Sequence, residues 1–334
     1  MLTWRLFVLP ATAFFVATGA AAHALDVKCL PDNTELVVGV NLKQIRTSKR
    51  VSREKDALDQ PRAMLKRAAR ELPVLACVQD AGLDLVNDLN AITFAGPQAK
   101  TPQVTFLALE GDFVPLKLAD RLAELAKKRP EQVKLTMTGS ATFYQMTGAG
   151  KTVHHAALVN GSTLIAATTR EALTEAMERC NGSRKSNLAK GITLESGDDH
   201  SIRLVATGPA LARLLENASI PNADTAVAAL DTCQSVSASL RLSQELEFHL
   251  GIQVRDAEMA SKIAAAGING LRSLRVLAHQ QAREKKKLQP IAEIVDGLRV
   301  TSQGPNVVIR GEATLNAIEI FLRDFPVSPA ERPR

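Results

Sequence analysis

The feature that most restricts what this chain can fold into is a recurrence. Val104–Asp112 reads as a strand that ends in an acid ahead of a helix, and Glu247–Asp256 repeats that pattern. The strand-to-helix run Leu164–Met177 is matched in the same way by Val308–Leu322. Both matches need an offset near 144 residues. Solenoid repeats recur every 20–50 residues, so a match at this spacing predicts duplication of one globular unit. With 334 residues, each unit has enough length to bury its own core.

The elements expected within each half set the class. Glu35–Leu42 is apolar and β-branched, a strand, and a helix follows over 57–71 with Ala63, Leu65, Ala68 and Ala69 on one stripe. Strands are expected over 91–95 and 103–110, then a helix opened by Pro115 and closed by Pro130. Four strands follow in meander order, at 132–138, 141–147, 152–159 and 162–167, with Asn160-Gly161 as a tight-turn signal. A helix over 169–180 starts at Thr168 and Glu171, spaced as a capping box. The second half reads strand 201–207, helix 209–216, hairpin 235–242 with 245–254, and helix 257–277. It continues with a short helix at 291–295, strands at 298–302 and 306–311, and a last helix at 315–323. Strands joined mainly by hairpins, with helices inserted at intervals, predict the α+β class. Each half is expected to be a two-layer unit, its sheet antiparallel or mixed, its helices packed on one face. The expected boundaries are 1–24, 25–181 for the first domain, 182–199 for a polar linker, 200–325 for the second domain, and 326–334 for a disordered tail.

Residues 1–24 are set apart because they read as a cleavable signal peptide. Arg5 precedes an apolar run from Leu6 to Ala22, and Ala22-His23-Ala24 offers small residues around a cleavage point after Ala24. The run is at the lower limit for crossing a bilayer and is rich in Ala and Gly toward its end. Lys28 before Cys29 argues against a lipoprotein signal. The expected location is periplasmic or secreted, with no integral membrane segment after cleavage. Four cysteines remain, Cys29, Cys77, Cys180 and Cys233, an even number that in an oxidising compartment predicts two disulfides, with four buried free thiols as the alternative. Three pairings are open, and proximity along the chain favours Cys29–Cys77 with Cys180–Cys233. No C-x-x-C occurs, which removes ribbon-type zinc sites and thioredoxin-like chemistry. With one Trp, in the leader, and one Tyr, the chain is poorly equipped to stack sugar rings.

The stretch Leu30–Leu42, the Leu-Asp-rich Leu83–Asp88 and the hairpin-and-helix run Val159–Leu173 together resemble a broad group of exported bacterial proteins of unknown function. That resemblance implies export and duplicated α+β architecture, and it brings no catalytic residue with it.

Motifs that suggest chemistry fail on their context. Gly148-Ala149-Gly150-Lys151-Thr152 resembles the end of a phosphate-binding loop, but Gln145 stands where the first glycine belongs and a strand follows where a helix is needed. His154 and His155 are neighbours on a strand and point to opposite faces. Ser52 and Lys55 fit Ser-x-x-Lys without its partner motifs, and no Gly-x-Ser-x-Gly or His-Glu-x-x-His occurs. Asp198-Asp199-His200 reads as a solvated turn and His249 as an ordinary strand histidine. Asp84 with Asp88, and Glu110 with Asp112, read as capping or solvated carboxylates. No catalytic, cofactor-binding or metal-binding residue is therefore assigned, and an envelope hydrolase assembled only by the fold, or a structural envelope component, is the alternative.

Charge gives the one functional expectation. The formal net charge is +6, and Lys43, Arg46, Lys49, Arg50, Arg53 and Lys55 crowd a short segment against a single acid, Glu54. Arg62, Lys66, Arg67 and Arg70 follow, and Arg272, Arg275, Arg283 and Lys285–Lys287 form a second cluster. Such patches attract anionic envelope components or acidic proteins. Nucleic acid is a poor partner given the compartment and the scarcity of aromatics. The chain is expected to be a non-catalytic binding protein.

Overall fold

The computed structural model describes residues 29–48, 58–96, 106–138, 141–148, 152–185, 187–192, 200–217, 224–243, 245–314 and 317. The leader, most of the 43–55 basic segment, the end of the expected linker and the last expected helix beyond residue 317 lie outside them.

The first half runs β1 (Leu36–Asn41), α1 (Leu42–Arg46), α2 (Asp59–Glu71), α3 (Pro73–Asp80), β2 (Leu89–Gly96), β3 (Phe106–Gly111) and α4 (Pro115–Lys128). It continues with β4 (Val133–Thr138), β5 (Ala141–Thr147), β6 (Val153–Asn160), β7 (Thr163–Ala167) and α5 (Arg170–Cys180). The second half runs β8 (Ile202–Thr207), α6 (Gly208–Asn217), α7 (Asp224–Asp231), β9 (Ser235–Leu242), β10 (Leu246–Gln253) and α8 (Ala257–Glu284). A 3-10 turn at Lys286–Leu288 then leads to α9 (Gln289–Gly297), β11 (Arg299–Gln303) and β12 (Asn306–Ala313).

Among the described residues all strand pairings are antiparallel, so the fold is α+β, and twelve strands form one sheet in the order β11-β12-β10-β9-β8-β1-β2-β3-β7-β6-β5-β4. The halves meet at β1 and β8, where Val38 lies opposite Leu204. Counted outward from that pair, β3 and β7 hold the third and fourth places on one side, and β10 and β12 hold them on the other. These are the strands whose sequences match at the long offset.

Alternation along the strands gives each face its own core. One face carries Ile92, Leu107, Leu109, Tyr144, Met146 and Leu164 under helices α1 to α4, whose Ile45, Val74, Leu75, Leu118 and Leu122 pack down on it. On the same face of the second half, α8 packs Ala260 and Ala264 against Val307, and α9 joins α8 through Ala292, Val295 and Ala278. The other face of the first half holds Phe106, Ala108, Ile165 and Ala167, covered by Leu173 and Ala176 of α5 and by Cys29 and Leu30. The first half therefore gains a third layer beyond the helices expected on one face.

The local signals explain most boundaries. Thr169, one residue later than expected, caps α5 by accepting from the Ala172 N–H at 3.2 Å. Pro73 opens α3 at a position where its missing N–H costs nothing. That helix closes with Gly82 N–H on Gln79 O and Leu83 N–H on Val78 O, a Schellman arrangement whose Gly82 φ of +90° suits glycine. The β6–β7 turn uses Asn160 differently from the expected left-handed pair. Neither Asn160 nor Gly161 has positive φ, and Asn160 Oδ1 accepts from the Ser162 N–H instead.

Candidate functional site

Of the expected basic patch, Lys43 and Arg46 lie on α1, and Lys49, Arg50, Arg53 and Lys55 fall outside the described residues. Arg46 does not face outward as a patch residue should. Its guanidinium donates to Val86 O at 2.7 Å, to Leu89 O and to Asn90 Oδ1 at 2.9 Å, which ties α1 to the turn ahead of β2. Asp84 and Asp88 build that turn. Asp84 Oδ1 accepts from the Val86 and Asn87 N–H groups, and Asp88 Oδ2 accepts from the Asp84 N–H. Burial works to raise the Asp84 carboxyl, but these hydrogen bonds and the Arg62 charge prevail and hold it below its usual range. The second basic cluster is likewise partly committed. Arg275 donates to Leu298 O at 2.7 Å, and His279 lies 2.9 Å from Asp296. Arg275, His279 and Asp296, with Arg283 and Glu284, line an open groove of about 850 Å³ where acids and bases largely offset one another.

The cysteines pair in neither of the favoured ways. Cys29 is bonded to Cys180, with Cα atoms 4.5 Å apart, and Cys77 and Cys233 are thiols. The sheet itself forbids Cys29–Cys77, because Cys77, on α3, is buried on one face and Cys29 lies on the other. Burial pushes the Cys77 thiol up to about 11. Beside the disulfide, the fully buried Arg179 reaches Asp32 at 2.7 Å and Glu175 at 3.1 Å. Arg184 also reaches Asp32, at 2.8 Å. This cluster fastens the start of the expected linker to the segment ahead of β1.

Register assembles a different set of cations. In the second half, the residues that alternate away from α8 and α9 form one polar face. Straight across it run Arg203 (β8), Ser239 (β9), His249 (β10), Arg310 (β12) and Arg299 (β11), each directly opposite the next. Five strands at ~4.8 Å spacing make the row about 19 Å long. Ser237 and Thr301 lie on the same face, and Arg241, Glu247 and Glu312 form a parallel row in which Arg241 and Glu247 approach to 4.0 Å. Four arginines thus share the face with two glutamates. Arg310 and Arg299 are exposed, while Arg203 and His249 are half-buried. Arg299 also donates to Leu298 O at 2.8 Å and to Asp296 O. Arg310 and Arg299 are the directly opposed arginine pair of the row, and like charges so placed weaken a sheet.

Sequence reasoning had no means of collecting these residues, which come from five separate strands. The available signal was the alternation of polar positions in Ser235–Arg241 and Glu247–Gln253, which marks a polar face without showing what lies beside it. His154 and His155 do face opposite sides, toward Met146 and toward Gln145, and burial lowers the basicity of both. Glu110 is half-buried on β3 between Ala91 and Thr163, with Oε1 lacking a hydrogen-bond partner among the described residues, and burial pushes its carboxyl up to about 7. Among the described residues no three His, Cys, Asp or Glu side chains gather to hold a metal ion, and no helix is long and apolar enough to cross a membrane.

No family model and no curated protein matches the chain. Two solved structures, crystal forms III and IV of TP0453, are remotely similar at TM-scores of 0.45 and 0.43 and 10% and 9% identity. Each match covers 89% of this chain, and 97% and 95% of those chains.

Proposed function

We propose that this is an exported, non-catalytic binding protein of the bacterial envelope, and that the polar face of its second half takes an extended anionic ligand. The observation that carries this reading is the register-aligned row Arg203–Ser239–His249–Arg310–Arg299. Guanidinium groups and hydroxyls at sheet spacing suit a chain of phosphates or carboxylates, because each arginine offers paired donors to an oxyanion. A disulfide between Cys29 and Cys180 and the leader-like residues 1–24 support export. Duplication of one α+β unit is part of the same reading, supported by the matching places of β3 with β10 and β7 with β12.

The test is a titration of the protein with long-chain inorganic polyphosphate at several salt concentrations. Binding is expected to weaken as salt rises, and Arg203→Gln with Arg310→Gln is expected to reduce affinity at least about tenfold. Lys285→Gln with Lys286→Gln, on the far side of the sheet, serves as the charge-matched control. Equal losses in the two double variants would show that net charge alone attracts the polymer and would end the assignment to this face.

A further inference from the structure

The far end of the sheet from that face is closed by nothing among the described residues. β4 pairs with β5 alone and is the last strand in the order. Its residues alternate between two different surfaces. Leu135 and Met137, on the face of α1 to α4, are 40% and 67% exposed. Lys134, Thr136 and Thr138 are on the face of α5. Natural edge strands are usually blunted by charge, proline or a bulge, and β4 has only Lys134 to do so.

The hydrogen-bond phase of the edge is fixed by its neighbour. Thr147 N–H donates to Gln132 O at 2.7 Å, so Gln132 and Thr147 are a hydrogen-bonded pair. Antiparallel pairs alternate, which turns the backbone groups of Lys134, Thr136 and Thr138 inward to β5 and those of Leu135 and Met137 out to the open edge. The Val133 N–H is already taken by Arg129 O at 3.0 Å. The usable template is therefore two residues' worth of backbone donors and acceptors, centred on Thr136.

Two cations bracket that template on the face of α5. Lys134 stands at one end, and at the other Arg170 donates to Thr138 Oγ1 while its guanidinium lies 4.9 Å from the centre of the Phe143 ring. Positions 134 and 138 are four residues apart, about 13 Å along a strand. A second copy of this chain would fit the backbone phase centred on Thr136, but it would set its own Lys134 opposite Thr138 and its Arg170. Charge complementarity selects a different occupant.

We infer that β4 accepts an extended peptide as a thirteenth, antiparallel strand, with acidic residues opposite Lys134 and Thr138 and apolar residues opposite Leu135 and Met137. The recognised pattern is acid–apolar–any–apolar–acid. Main-chain hydrogen bonds to Leu135 and Met137 provide the strand addition, and the alternate side chains provide the choice of partner. The inference is independent of the polar face at the other end of the sheet and stands or falls without it.

The probe is a labelled Thr-Glu-Leu-Thr-Val-Asp-Thr peptide, capped at both ends and titrated against the full chain by fluorescence anisotropy. It is expected to bind, and replacing both of its acids by lysine is expected to weaken binding at least about tenfold. Lys134→Glu should lower affinity for the acidic peptide and raise it for a version with lysine opposite that position. Peptide N-methylation separates strand addition from mere charge attraction, without any change to the protein. Methylating the Leu and Val nitrogens should abolish binding, and methylating the central Thr nitrogen should leave it within about twofold. Equal binding of the two methylated peptides, or of the acidic and lysine peptides, would overturn the inference. So would a dimer in sedimentation velocity that Leu135→Lys dissolves, because it would make a second copy the occupant.

Discussion

Arg121, Arg275 and Arg299 donate to backbone carbonyls at or just past the end of a helix. Their acceptors are Ala81 O beyond α3, and Asp296 O and Leu298 O at and beyond the end of α9. Carbonyls there lack intrahelical partners and carry the negative end of the helix dipole, so guanidinium groups settle on them. Arg46 makes the same use of the turn before β2. These four arginines are thereby tied to backbone carbonyls, two of them, Arg121 and Arg299, while still exposed. Glu110 is the opposite case, a carboxyl that burial holds neutral to about pH 7 against an ordinary value of 4.5. Because its folded value is the higher one, the stability it contributes is complete below 4.5 and is lost as pH rises through about 7. Glu110→Gln is therefore expected to stabilise the protein at pH 8, by at most about 3 kcal/mol, and to change little at pH 4.5. Urea unfolding at the two pH values checks this, and an equal gain at both would show that the charge is not the cause.

Among the elements, α8 shows how local rules and packing divide the work. Asp256 caps it by accepting from the Met259 N–H at 2.8 Å, and Glu258 pairs with Lys262 at 2.6 Å in its first turns. Asp256→Ala should cost about 1 kcal/mol in thermal or chemical denaturation, while Asp256→Ser should recover most of it. A loss that Ser does not recover would point to a role other than capping. The periodic pattern suggested an end near Leu277, but α8 continues to Glu284 because α9 packs along its last turns through Ala278 and Ala282. Gly267 sits mid-helix facing β11, where an added Cβ would lie in ordinary contact with Val300 Cγ1 at 3.4 Å. The three helices absent from the sequence reading, α1, α3 and α7, are five to eight residues long. Segments of that length carry too few turns for periodicity to register.

At the scale of the whole molecule, the segment ahead of β1 is fastened to residues about 150 positions further along the chain. The Cys29–Cys180 bond and the Asp32–Arg179–Arg184 cluster hold the segment ahead of β1 against the end of α5 and the first residues of the expected linker. Asn33 N–H on Asn187 O at 2.8 Å and Ala189 N–H on Thr34 O at 3.3 Å continue that attachment as backbone-to-backbone pairing. Alkylating the denatured, unreduced protein should modify two thiols, those of Cys77 and Cys233, and four after reduction, as read by intact mass. No modification before reduction would restore the two-disulfide arrangement. Because the bond spans 151 residues, reducing it should lower stability by up to about 5 kcal/mol.

The sequence by itself determined the class, most strand and helix positions and the opposite facing of His154 and His155, because period, caps and turn residues act over a few neighbours. Only the tertiary structure decided that the halves share one sheet through β1 and β8, and that Cys29 meets Cys180 across the chain. It alone gathered Arg203, His249, Arg310 and Arg299 into a row and left β4 at an open edge. Those outcomes depend on which strand lies beside which, and strand partners are chosen by the packing of whole faces, which no local stretch of residues encodes.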